Sequence, residues 1–130
     1  MEKDYITITG TKYYFGNIVF KVGDVISCEK EFDNDYDEEA IKVMIKTFGK
    51  VGYVANSSRT VAKGTKSAGR IYDKVGDKFY AKVCFVTGTS VIVEVLKRDE
   101  NNHSFLFDLF FIGWAHSDRA TLLQKIASIL

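Results

Sequence analysis

The feature that most restricts the fold of this chain is how closely its turn signals follow one another. Glycines at 10, 16, 23, 49, 52, 64, 69 and 76, with Asn- and Asp-rich clusters among them, break the sequence into short stretches that alternate apolar with polar residues. Short alternating stretches suit strands, whose successive side chains point to opposite faces, and most are too brief for a stable helix. Residues 5–9 and 25–29 read as strands, and 17–21 as a third, with Val22, Gly23 and Asp24 turning between the last two. Ile41, Lys42, Val43, Met44 and Ile45 return as Val51, Gly52, Tyr53 and Val54 through Gly49, which is a hairpin pattern. Gly69, Arg70, Ile71 and Tyr72 read as another strand start. Residues 79–87 then alternate, with Phe79, Ala81, Val83 and Phe85 on one face, and 91–96 repeat the pattern.

Two helices are predicted beside these strands. Asn56 or Ser57 caps a short one running to about Lys63 and ending at Gly64, and Ser117 or Asp118 caps a C-terminal one. In the second, Leu122, Leu123, Ile126, Ala127 and Leu130 share a face. Phe105 to Ile112 is the most apolar strand candidate. Eight or so short strands with these helices predict a mainly β fold. The expected form is a small antiparallel barrel, OB-like or SH3-like, with one short internal helix and a C-terminal helix. Its 130 residues, 46% of them apolar, suit a single domain over 1–130, and the absence of proline and of any linker agrees.

Charge and cysteine content narrow the class. The net charge is +1. It is unevenly spread, with seven basic against ten acidic side chains in residues 1–50, nine against three in 51–98, and two against four in 99–130. The basic middle, with Arg59, Lys63, Lys66, Arg70, Lys74, Lys78 and Lys82, could attract phosphate if it gathers on one face. Cys28 and Cys84 lack metal-ligand or redox spacing and read as buried thiols in a reducing compartment. The charged start precedes no apolar signal segment, and Phe105–Trp114, interrupted by Asp108, is too short to span a bilayer. The expected location is cytoplasmic, with no membrane partner.

Residues 29–43, EKEFDNDYDEEAIKV, concentrate the chemistry. Asp33, Asn34 and Asp35 favour a turn because their short side chains hydrogen-bond nearby backbone, and the turn leads into the apolar Ala40, Ile41 and Val43. That places Asn34, Tyr36 and Asp37 at the lip of a β structure, displayed to ligands. The Asp33, Asp35, Asp37 spacing imitates a calcium loop, but Glu38 stands where the sharp turn needs glycine and Met44 where a bidentate Glu belongs. Neither cysteine is poised by His103 or His116, and no carboxylate pair has a defined partner, so no catalytic, metal or cofactor site is expected. What remains is Lys12, Tyr13 and Tyr14, then Asn34, Tyr36 and Asp37, then Tyr53 and Asn56. Exposed aromatics with a few cations on a small barrel suit single-stranded nucleic acid, since every base has a face that stacks.

At these residues the sequence resembles the HIRAN family, a small β-barrel module of fork-remodelling helicase-like translocases that also occurs alone in bacterial proteins. The resemblance covers about residues 6–86. Three motifs carry it: Gly10-Thr11-Lys12-Tyr13-Tyr14-Phe15-Gly16, then Asn34-Asp35-Tyr36-Asp37 with Ala40-Ile41-Lys42-Val43, then Gly49-Lys50-Val51-Gly52-Tyr53-Val54. It implies a non-catalytic module that binds the 3′-hydroxyl end of single-stranded DNA in repair or replication. By position, Tyr13 and Tyr14 would stack on terminal bases, and Asp37 would accept a hydrogen bond from the terminal hydroxyl. Lys12 would contact phosphate or base, with Asn34, Tyr53 and Asn56 lining the rest. The chain departs from end-binding members in carrying Phe32, Asp35 and Glu39 for Pro, Pro and Asn, and Tyr53 and Asn56 where they present His and Lys. A rival expectation is a protein-interaction or self-association module using the apolar Phe105–Trp114 segment.

Overall fold

The computed structural model of the protein describes residues 3–96. The readings for Asp99 to His103, Phe105–Trp114 and the C-terminal helix lie outside the described residues. Within them six strands close into an antiparallel barrel: β1 (Tyr5–Thr9), β2 (Val25–Lys30), β3 (Ile41–Ile45), β4 (Gly49–Val54), β5 (Lys78–Val86) and β6 (Val91–Leu96), in the order β1-β4-β3-β2-β5-β6 with β6 returning to β1. Five strands supply alternate residues to one core, including Ile6 and Ile8, Ile26 and Cys28, Ile41 and Val43, Ala81 and Val83, and Val91 and Val93, while β4 supplies Val51 and Val54. The period-2 pattern of the sequence is therefore the inside-outside pattern of the barrel.

Three local expectations fail, each for a tertiary reason. Residues 17–21 do not pair as a strand. Asn17–Val19 is a 3-10 turn, because the Asn17 amide donates to the Thr87 carbonyl at 2.9 Å and its oxygen accepts from Thr11 Oγ1 at 2.5 Å. Gly69 to Tyr72 does not start a strand. Ala68–Ile71 is a single helical turn, α1, whose cap Ser67 accepts from the Arg70 N–H at 3.3 Å while Ala68 and Ile71 enter the core. The expected 57–63 helix is only a turn, with the Thr60 and Val61 N–H groups on the Ser57 carbonyl. Beyond it, the Ala62 N–H goes to Thr7 Oγ1, a bond that a helix would have kept, and past Gly64 the Lys66 N–H goes to the Tyr5 carbonyl of β1.

Two bulges break the alternation where it matters. On β4, Val43 faces Gly52 and Met44 faces Lys50, which leaves Val51 as an extra residue. Lys50 and Tyr53, three apart, would otherwise point to opposite faces; with the bulge both lie outside while Val51 and Gly52 are buried. On β5, Cys84 is the extra residue between the Val83 and Phe85 registers. Phe85, expected on the same face as Phe79, Ala81 and Val83, is turned out and 61% exposed. Cys84 is likewise only partly buried, whereas Cys28 is fully buried and burial raises its thiol pKa.

Gly52 answers to a close approach. A Cβ there would lie 2.8 Å from the Thr9 carbonyl oxygen and 3.1 Å from Ile8 Cγ2, because β1 crosses β4 at this point. Gly52→Ala is expected to destabilise the barrel by about 2 kcal/mol through overpacking, read as a lower urea midpoint at unchanged slope.

Candidate nucleic-acid interface

The loop from Gly10 to Gly16 is tied at its base and open at its tip. The Tyr14 and Gly16 N–H groups both bond the Thr11 carbonyl, at 2.9 and 2.8 Å. Gly16 takes φ 75° with ψ −170°, a conformation that a side chain would strain. With the backbone so closed, none of the three consecutive aromatics enters the core. Tyr13 is 76% exposed, Lys12 Nζ sits 5.1 Å from its ring centroid, and Phe15 leans on Phe48 of the β3–β4 hairpin with centroids 5.0 Å apart.

The acidic loop between β2 and β3 is built by its own side chains. Asn34 Oδ1 accepts the N–H groups of Tyr36 and Asp37 at 2.8 and 2.9 Å, and Asp37 Oδ1 accepts the Glu39 N–H at 2.9 Å. The turn pushes Tyr36 outward until it is 98% exposed. Asn56 Nδ2 donates to both Asp37 carboxylate oxygens at 3.3 and 3.2 Å, while Asn56 Oδ1 accepts from the Gly69 N–H at 2.8 Å, so α1 anchors the amide that steadies Asp37.

Tyr53 joins the two loops. Thr9 is its partner on β1, which places the Thr11–Tyr13 turn beside β4, and its hydroxyl donates to Glu31 Oε1 at 2.8 Å. Glu31 Oε1 also accepts from Asn34 Nδ2 at 2.9 Å, and its other oxygen pairs with Lys50 at 2.9 Å. Burial pushes the Glu31 carboxyl up, but hydrogen bonds from Lys50, Tyr53 and Asn34 and the Lys50 charge outweigh it and hold the group at about 2. Lys50 is raised by its bonds to Tyr53 and Glu31, and Tyr53 is raised chiefly by burial.

The structure thus links Asn34, Asp37, Tyr53 and Asn56 through hydrogen bonds and sets Lys12, Tyr13 and Tyr14 on the adjoining turn, with Tyr36 displayed between solvent and the loop. Glu31 and Lys50 were not singled out as site residues. The available signal was a carboxylate three residues before Asn34 and a lysine three before Tyr53, and only the β4 bulge makes that spacing meaningful. Of the basic middle, Lys66 is ion-paired with Asp4, and Arg70, Lys74, Lys78 and Lys82 are distributed over α1, the following turn and β5.

A closed barrel whose rim carries displayed aromatics beside a braced carboxylate defines a small β-barrel binding module. The chain belongs to the HIRAN domain family, whose model matches residues 3–89. The crystal structure of a protein from Lactobacillus plantarum is similar at TM-score 0.51 and 21% identity, over 71% of this chain and 88% of that one. The HIRAN domain of human HLTF is similar at TM-score 0.49 and 19% identity, over 89% of this chain and 93% of that one. No curated protein sequence matches. The HIRAN domain is a binding domain, and membership supports nucleic-acid binding in general. Among the described residues no helix is long and apolar enough to cross a membrane.

Proposed function

We propose that this chain is one non-catalytic module that binds single-stranded DNA at its 3′-hydroxyl end, in the handling of DNA ends during cytoplasmic repair or replication. The observation that carries the reading is Asp37, whose carboxylate is oriented by Asn56 and the Glu39 N–H on a loop that also displays Tyr36, while the Gly10–Gly16 loop displays Tyr13. A carboxylate accepts about four hydrogen bonds, so capacity remains for a terminal hydroxyl, whereas a terminal phosphate meets like charge. Tyr13 and Tyr14 stack on the last bases and Lys12 takes a phosphate. The neighbouring Asp33, Asp35, Glu38 and Glu39 disfavour a long polyanion over the same loop, which favours capture of an end over coverage of a tract.

Fluorescence anisotropy with oligonucleotides ending in 3′-hydroxyl or 3′-phosphate tests this. The hydroxyl form is expected to bind at least about tenfold more tightly, the worth of one charge-assisted hydrogen bond, and Asp37→Ala to abolish the difference. An Asp37→Ala protein with unchanged affinity and end preference sinks the reading.

A further inference from the structure

The Asp37 loop is braced by a residue outside all the proposed ligand contacts. An Asn side chain is nearly symmetric in shape and opposite in chemistry at its two ends, so a half turn about its last bond would aim its NH2 at the Tyr36 and Asp37 N–H groups. The two N–H groups oppose that turn from one side and Glu31 from the other, since an ionised carboxylate only accepts. With its Oε1 2.9 Å from Asn34 Nδ2, it locks the orientation in which Oδ1 faces the two loop N–H groups. The carboxylate is itself held, by the Tyr53 hydroxyl on the same oxygen and by Lys50 on the other. We infer that Glu31 is a positioning residue that sets the end preference of the Asp37 site through Asn34, without touching the ligand.

This rests on the end-binding reading, and Lys50 provides the control. Lys50 bonds Glu31 Oε2 and the Tyr53 hydroxyl and has no bond to Asn34, so Lys50→Met removes the ion pair and leaves the brace, whereas Glu31→Ala removes both. A merely structural role for Glu31 predicts lower stability without faster exchange at Tyr36 and Asp37 beyond that of Lys50→Met and without a change in end preference.

Two readouts separate the cases. Amide hydrogen exchange at Tyr36 and Asp37 is expected to speed up at least about tenfold in Glu31→Ala and to stay within about twofold in Lys50→Met. The affinity ratio between 3′-hydroxyl and 3′-phosphate oligonucleotides is expected to fall toward one in the first and to persist in the second. Glu31→Ala orphans the Lys50 charge, so the double variant Glu31→Ala/Lys50→Met, which removes it, is expected to reproduce the Glu31→Ala behaviour in a more stable protein. Unchanged exchange in Glu31→Ala and in the double variant, or equal losses in Glu31→Ala and Lys50→Met, overturns the inference. A wild-type protein without end preference instead defeats the end-binding reading, while the exchange readout still tests the Glu31–Asn34 brace.

Discussion

Replacing Glu31 by glutamine is expected to lower the unfolding free energy at neutral pH by about 2 kcal/mol, at the low end for removing one partner of an ion pair that is part-buried. Glutamine keeps an oxygen for Asn34 and Tyr53, so the loss isolates the charge opposite Lys50. It falls at the low end because the Lys50 side chain keeps 32% of its exposure, against 12% for Glu31. The pH dependence gives an independent check. The folded pKa of Glu31 is held at about 2, below the ordinary 4.5, so its contribution is complete above 4.5 and is lost as pH falls toward 2. Urea titrations of the wild type between these limits are therefore expected to show stability falling with acid, and Glu31→Gln to flatten that slope. Equal slopes in the two proteins would mean that Glu31 is not held ionised by Lys50, Tyr53 and Asn34.

The second large effect is on binding. Tyr13→Ala combined with Tyr14→Ala is expected to weaken single-stranded DNA binding by about a hundredfold, since stacking of one base on one ring is worth about 1–3 kcal/mol. Both rings lie outside the core, at 76% and 38% exposure, so the urea midpoint is expected to stay nearly unchanged. The preference for a 3′-hydroxyl is expected to survive, because Asp37, Asn56 and the Glu39 N–H are untouched. A loss of less than about threefold in anisotropy titrations would place the bases elsewhere on the barrel.

The site was legible in the sequence to the extent that local chemistry controls it. Asn34 and Asp37 form the turn expected of short polar side chains, and Tyr36 is displayed because the turn leaves it nowhere to pack. Tyr53 and Asn56 were legible as residue types in the aromatic and polar constellation, and their partners were not. Tyr53 meets a carboxylate 22 positions away and Asn56 an aspartate 19 away, distances that no local pattern reports. The misread segments tell the same story. Residues 17–21 and 57–63 have locally reasonable strand and helix patterns, yet Thr87 and Thr7 supply hydrogen-bond partners that favour turns instead.

By itself the sequence determined that this would be a barrel of short antiparallel strands with a polar, aromatic lip, because side-chain alternation and turn chemistry act over a few residues. Only the tertiary structure decided the strand order and which side chains share the rim. Val51 is an extra residue on β4 only relative to the Val43–Met44 register of its neighbour, and that one offset puts Lys50 and Tyr53 on the same outer face, where both reach Glu31. A bulge is a property of two strands at once, which is why residues 49–54 read alone cannot reveal it.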